Sequence, residues 1–287
     1  MWLIFAIFSA VFAGLTSILA KCGIKETDSN VATAIRTIVV LIFSWLMVFI
    51  VGSQSTITQV DEKTWIFLIL SGLSTGASWL CYFKALQIGN INKVVSVDKS
   101  SVILTIIFAF IFLNESITLL KGVAVVLIGL GTYLMVQKKK IESGKETNKA
   151  WFFYAALSAV FASLTTILGK IGISGIESNL GSSVRTFVVL IMAWVVVFAT
   201  GKRKDALKIP KNELIFICLS GVATGSSWLC YYKALQDGLA SVVVPIDKLS
   251  ILVTIVFSYI VFHEKLPMKA IFGLFLIIAG TLMMVIA

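Results

Sequence analysis

The chain has little charge. Asp, Glu, Lys and Arg make up only 13% of its 287 residues, where soluble proteins carry about a quarter. With 59% hydrophobic residues and a mean hydropathy of +1.01, it has too few polar groups to clothe a sizeable water-facing domain, and a bilayer is the solvent that suits it. Histidine occurs once, at His263, and there is no HExxH pair. That removes the usual metal-ligand sets and leaves no cofactor to expect. The four cysteines, Cys22, Cys81, Cys218 and Cys230, form no CxxC pair and lie in or beside apolar stretches. There a thiol behaves as a small hydrophobe rather than as part of a disulfide framework. A GxxxxGK[ST] phosphate cradle is also missing, so the chain does not itself hydrolyse nucleotides. Nothing in it forms a catalytic set, and it is read as a non-enzyme.

The charge that is present is lopsided, at +10 net. Its dense basic runs, Lys138-Lys139-Lys140 and Lys202-Arg203-Lys204, occupy short polar gaps between apolar stretches. Gaps of this kind read as cytoplasmic loops beside anionic lipid headgroups. Neither run belongs to a folded basic patch, so nucleic acid is not expected as a partner.

Apolar stretches fall at about 2–20, 31–51, 65–87, 93–113, 117–137, 151–169, 180–200, 213–235, 241–262 and 267–287. Each has roughly 19–23 residues, enough at 1.5 Å per residue to cross a hydrocarbon core of about 30 Å. The first begins at Met1 without a basic leader region and has a later copy, so it is read as a structural helix and not a cleaved signal.

That copy is part of a complete internal repeat. SAVFAGLTSILAK (9–21) returns as SAVFASLTTILGK (158–170), and IRTIVVLIFSW (35–45) as VRTFVVLIMAW (184–194). SGLSTGASWLCYFKALQ (71–87) returns as SGVATGSSWLCYYKALQ (220–236), and VDKSSVILTIIFAFIFLNE (97–115) as IDKLSILVTIVFSYIVFHE (246–264). The offset is 149 residues throughout, and roughly four positions in ten are identical, the mark of a duplicated unit. The expected organisation is a five-helix repeat at 1–137, a basic cytoplasmic linker at 138–150 and a second repeat at 151–287. An odd number of spans per unit makes the second copy enter the membrane from the opposite side. The loops agree: the gap at 52–64 is nearly neutral while its copy at 201–213 holds Lys202, Arg203, Lys204, Lys208 and Lys211. NESITLLKG (114–122) carries one lysine against Lys265 and Lys269 in its copy, whereas Lys25 becomes Ser174 and Lys93 becomes Val242. All basic members fall on one side, which the positive-inside rule makes cytoplasmic. The expected fold is an all-α polytopic membrane protein of ten transmembrane helices in two inverted five-helix repeats, both termini outside.

Ionisable groups inside spans cost roughly 2.5–3.5 kcal/mol each and mark pathways or paired networks. Here they come in duplicate: Lys21 and Lys170, Arg36 and Arg185, Lys84 and Lys233, Asp98 and Asp247, Lys99 and Lys248. Lys21, Lys84 and their copies sit at helix ends, where a long stem can snorkel to the interface. Arg36 and Arg185 lie deeper, suited either to pairing with Asp98 or Asp247 or to substrate. Neighbours such as Asp98 and Lys99 are expected to point to different surroundings, with Lys99 and Lys248 facing the lumen. Glu115 and Glu264 close their spans and are expected at the interface. Each repeat therefore has four cations for one carboxylate, the closing glutamate apart. That surplus suggests that something negative visits the lumen. Ser71-Gly72-xxx-Gly76 and Ser220-Gly221-xxx-Gly225 are small ridges that let helices approach closely. Trp79, Tyr82, Trp228 and Tyr231, just beyond them, either line a cavity or pack between helices. Pro245 lies just before Asp247 and Lys248, where it can kink the ninth span. The first copy has Ser96 there, so any kink is expected in one repeat only.

Two five-span units, the LSAVFASLTTILGK opening, the glycine-rich third span and a fourth span closing in Leu-x-Glu (113–115) or Phe-x-Glu (262–264) resemble the EamA family of the drug/metabolite transporter superfamily. The likeness covers nearly the whole chain. VDKSS (97–101) and IDKLS (246–250) resemble a subset also found as single five-span proteins acting as antiparallel dimers. The resemblance implies a ten-helix carrier, termini outside, with a central cavity and alternating access. Unlike the small multidrug exporters of that superfamily, the first span and its copy carry no glutamate, which tells against proton-coupled export of lipophilic cations.

The expected function is secondary transport of a small polar metabolite, anionic or zwitterionic (an amino acid, organic anion or phosphate ester), across the cytoplasmic membrane. The alternatives are a lipid-phosphate flippase or an exporter of cationic, drug-like compounds. Candidate substrate-binding residues are Lys99, Lys248, Arg36, Arg185, Asp98, Asp247, Trp79, Trp228, Tyr82 and Tyr231. Expected partners are the bilayer and the substrate, with a coupling proton or ion at Asp98 or Asp247 compatible with their position. A fused pair of units has no need to dimerise, and either a monomer or a dimer fits the sequence.

Overall fold

A computed structural model describes residues 1–23, 26–88, 94, 97–116, 118–135, 150–262 and 267–287. Apolar runs in a membrane solvent must satisfy their backbone groups internally, which helices do, and among the described residues every regular element is helical. The first repeat supplies α1 (Trp2–Gly23), α2 (Ser29–Val51), α3 (Glu62–Ile88), α4 (Ser101–Phe112) and α5 (Leu119–Met135). The second supplies α6 (Ala150–Ile173), α7 (Ser178–Ala199), α8 (Lys211–Asp237), α9 (Ala240–Lys248), α10 (Ser250–Phe262) and α11 (Met268–Ile286). The linker at 138–149, His263 and Glu264 lie outside the described residues.

Among the described residues eight stretches are long and apolar enough to cross a membrane, and Leu119–Met135 is a shorter apolar helix. The fourth expected span appears as α4, 12 residues long, or about 18 Å at the α-helical rise, behind a helical turn at 97–99. Ser96, the first-repeat counterpart of Pro245 in the expected one-sided kink, lies outside the described residues. The fourth span breaks at Ser100 and the ninth at Leu249, equivalent positions with nearly the same backbone (φ −64°, ψ −12° and φ −65°, ψ −7°). Each donates its N–H three residues back, Ser100 to Val97 O at 3.0 Å and Leu249 to Ile246 O at 2.9 Å. A break shared by both copies is not the work of Pro245, which only one copy has.

The ends of paired elements match as well. Asp28 accepts from the N–H groups of Asn30 and Val31, and Glu177 from those of Asn179 and Leu180, so equivalent carboxylates cap α2 and α7. Gly52 and Gly201 follow the same two helices in left-handed conformation, φ 78° and 71°, which glycine adopts without a steric penalty.

The repeats do not form separate lobes. The broadest contacts run between them: α3 with α6, α1 with α8, α5 with α11 and α2 with α7. Val31 and Ala34 at the start of α2 cluster with Ala193 and Val197 at the end of α7, so equivalent helices run antiparallel, as inversion requires. The small ridges are packing surfaces. A Cβ on Gly72 would lie 2.6 Å from Val188 Cβ, and one on Gly221 would lie 2.7 Å from Val39 Cβ, bringing α3 onto α7 and α8 onto α2.

Trp2 and Ala287 line one pocket together with Ser116, Lys170 and Gly238, which puts both chain ends at one end of the bundle, the termini face. Glu26, Thr27 and Asp28 meet Lys202, Asp205 and Lys208 in another, at the opposite face.

The α5–α11 seam offers a direct stability test. A Cβ on Gly131 would lie 2.5 Å from the backbone oxygen of Gly273, whereas one on Gly122 of the same helix meets nothing within 4 Å. Gly131→Ala is expected to cost about 1–3 kcal/mol through overpacking and to lower the unfolding midpoint. Gly122→Ala should leave that midpoint unchanged or raise it slightly, and tryptophan fluorescence of the detergent-purified protein reads both.

Candidate functional site

The breaks in the fourth and ninth spans set the site. Where α9 stops, Asp247 and Lys248 are delivered to a cavity of about 330 Å³ between the repeats, also lined by Thr75, Trp79, Thr166, Arg185, Trp228, Tyr231 and Tyr232. Arg185, on the first turns of α7, is 2% exposed. Its Nε donates to Ser71 Oγ at 2.9 Å and its Nη2 to Thr75 Oγ1 at 2.7 Å. The guanidinium carbon stands 5.2 Å from the centre of the Trp228 ring and 4.8 Å from that of Tyr232, distances at which each ring face attracts a cation. Its Nη1 is buried without a hydrogen-bond partner, and among the described residues no carboxylate lies within ion-pair distance of it.

Of the two readings of the arginines, pairing with Asp98 or Asp247 is not found among the described residues. Ser9 Oγ donates to Asp247 at 2.6 Å and Ser158 Oγ to Asp98 at 2.8 Å, each serine belonging to the repeat opposite its aspartate. The fork of Arg185 is occupied by α3 hydroxyls instead. The expectation that Asp247 and Lys248 face apart is also corrected: their charged atoms are 3.9 Å apart and both line the cavity. A lysine stem is long enough to fold back over a neighbour at a helix end. Lys99 is exposed and lies near enough to Lys248 for the two ammonium charges to act on each other.

Two end groups differ from their expected places. Glu115 is buried, not interfacial. Its two oxygens accept from the N–H groups of Ala240 at 2.7 Å and Ser241 at 3.0 Å, capping α9 from the other repeat, where a helix N-terminus favours an anion. Lys170 does not snorkel freely; it lies 3.8 Å from Glu115 and donates to the carbonyl of Gly238. Lys233 pairs with Asp237 at 3.2 Å, and Lys84 is exposed. Glu264, the counterpart of Glu115, residues 89–93 and the Lys21 side chain lie outside the described residues.

The aromatic candidates separate. Trp79, Trp228 and Tyr231 line the cavity, with Tyr231 O–H 3.1 Å from Thr166 Oγ1. Tyr82 packs instead with Ala85, Val94, Ala155 and Trp151. Sequence reasoning missed Ser71, Thr75, Ser9, Ser158 and Tyr232. Ser71 and Thr75 did carry a signal, a four-residue spacing kept in both copies as Ser220 and Thr224, which puts two hydroxyls on one helix face.

The copies also differ in burial. Ser178 and Leu180 through Thr186 are buried, while Ser29, Thr33 and Arg36 at matching positions are partly or fully open. Among the described residues Arg36 donates to Thr33, at 3.4 Å, and Thr224, the counterpart of Thr75, bonds to Ser220 O and Thr16. Among the described residues no cluster of three His, Cys, Asp or Glu is placed to hold a metal ion.

A bundle of membrane-crossing helices, doubled by inversion around a polar cavity, is the architecture of a multi-pass carrier. The EamA-like transporter family matches residues 1–137 and 149–286, and the chain belongs to that family: it is a membrane transporter. An uncharacterized transporter in the cobO 3' region of Sinorhizobium sp is 40% identical over 134 residues, 47% of this chain and 95% of that protein, which is the length of one repeat. A crystal structure of a protein at 14% identity superposes with a TM-score of 0.78 over 98% of this chain and 96% of its own, a likeness of fold alone.

The Glu115 cap can be tested by Glu115→Ala. It leaves two buried N–H groups and Lys170 without their partner, and is expected to destabilise by about 1–3 kcal/mol, measured as a lower midpoint. An unchanged midpoint would show that the cap carries no stability.

Proposed function

We propose that the protein is a secondary carrier of small anionic or zwitterionic metabolites, working by alternating access, with Arg185 receiving the substrate's negative group. The observation that carries this reading is the unpartnered Nη1 of a buried guanidinium at the cavity wall. A buried cation without a counterion is costly, and a visiting carboxylate or phosphate ester supplies the missing partner through charge-assisted hydrogen bonds. Lys248 adds a second positive group, Asp247 can meet the ammonium of a zwitterion, and Trp79 and Trp228 offer apolar walls. Two cations at the wall disfavour a cationic cargo.

Alternating access rests on the difference between the copies. The Arg185 half is packed shut around Ser71, Thr75 and Tyr232, while the Arg36 half is partly open. Exchanging the two environments, so that Arg36 engages Ser220 and Thr224 while Arg185 lets go, reverses which face is sealed. With the basic loops placed in the cytoplasm, the termini face is outside and this conformation is open inward, in the cytoplasmic membrane.

Counterflow into proteoliposomes with a panel of labelled monocarboxylates, amino acids and phosphate esters tests the proposal. Arg185→Gln removes the charge-assisted contact and is expected to lower uptake of the active solute at least tenfold, from a loss of about 1.5–3 kcal/mol in binding. Arg185→Lys keeps the charge but not the fork over Ser71 and Thr75, and should recover only part of it. Wild-type uptake by Arg185→Gln, or flux of cations alone, would overturn the reading.

A further inference from the structure

A second cationic pocket lies at the termini face, outside the carrier site. Lys121, on the first turn of α5, is 2% exposed. Its ammonium donates to Ser116 O at 3.0 Å and Ser116 Oγ at 3.4 Å, and among the described residues no carboxylate lies within ion-pair distance of it. An ammonium has three donors, so one remains for another acceptor. Lys121 lines a pocket of about 520 Å³ with Lys170, Gln236 and Asp237 on the polar side and Trp2, Val242 and Met284 on the apolar side. Of the acidic side chains nearby, Asp237 is engaged with Lys233 and Glu115 with the α9 N-terminus and Lys170; the last residue, Ala287, also lines the pocket.

The charge at 121 is not demanded by the architecture. Its counterpart in the second repeat is Ala270, as fully buried at 1% exposed, so the fold accepts a methyl group at this position. Around Lys121, Leu119 is 89% and Val123 44% exposed, apolar surface that in a bilayer faces lipid. The pocket therefore sits at the perimeter of the bundle, at the helix end where headgroups lie, with a tryptophan of the kind enriched at that level.

We propose that this pocket binds a phosphate oxyanion at Lys121, with Lys170 as the second positive group. The lipid-facing perimeter and the apolar wall fit a phosphate carried by an anionic phospholipid, in keeping with basic pockets that hold lipid headgroups. The occupant sits beside the cap that Glu115 places on α9, where it would bear on the sealed face of the carrier.

The test is thermal unfolding of the detergent-purified full chain with dioctanoyl-phosphatidylglycerol, inorganic phosphate or dioctanoylglycerol, which lacks the phosphate. A ligand that binds only the folded state raises the midpoint in a saturable way. The expected result is a rise with the phosphatidylglycerol, none with dioctanoylglycerol, and an affinity at least tenfold weaker in Lys121→Ala. Lys248→Ala, which alters only the carrier cavity, should keep the full rise. A Lys121-dependent rise with inorganic phosphate alone would support the site and assign it a soluble occupant. No rise with either phosphate compound, or an equal rise in Lys121→Ala, overturns the proposal. Lys121→Ala should fold, as Ala270 does in the matching place, and its midpoint without ligand verifies this.

Discussion

Helices in hydrocarbon gain nothing by hiding apolar surface from water, so a bundle holds together through close contact and matched polar groups. In this protein that requirement is met where the first helix of each repeat lies against the third helix of the other. Ser78 donates to the carbonyl of Ser158, and Ser227 to that of Ser9, both at 3.0 Å. The same Ser158 and Ser9 donate to Asp98 and Asp247. One seam thus joins the repeats, fixes the tips of the broken fourth and ninth spans, and satisfies the two carboxylates that the membrane makes costly. The cavity is the space left between the two copies of that seam.

Because the seam crosses between repeats, neither five-helix unit is complete alone. The fused chain has gained the freedom to let its copies differ. Phe83 became Tyr232, Ile88 became Asp237 and Lys121 stands opposite Ala270. These differences gather at the termini face, where Tyr232 meets Arg185 and Lys233 meets Asp237.

Much was legible in order of physical strength. Long apolar runs and a constant 149-residue offset specify helices and duplication, because a bilayer tolerates few alternatives. The charge surplus in the spans was legible as well, but not its distribution. Lys170 and Lys233 proved to have partners, Glu115 and Asp237, across the repeats and along a helix, and Lys248 bent back to Asp247. Arg185, among the described residues, has hydroxyl and aromatic partners but no carboxylate. The aromatic residues were equally ambiguous. Tyr82 and Tyr231 stand at matching positions in nearly matching segments, yet one packs with Ala85, Val94 and Ala155 and the other lines the cavity.

The sequence by itself determined the solvent, the helical class, the duplication and its inversion, and which ionisable residues are carried into the membrane. These follow from composition, from period and from the charge asymmetry of matching loops, none of which depends on how helices meet. The tertiary structure decided which of those charges are satisfied. A hydrogen bond is fixed by distances of about 3 Å between groups that here stand 60 to 238 positions apart. It also decided that two copies of one repeat pattern occupy different environments, sealed around Arg185 and partly open around Arg36. The pattern that the copies share does not encode that difference, which arises when they pack into one another.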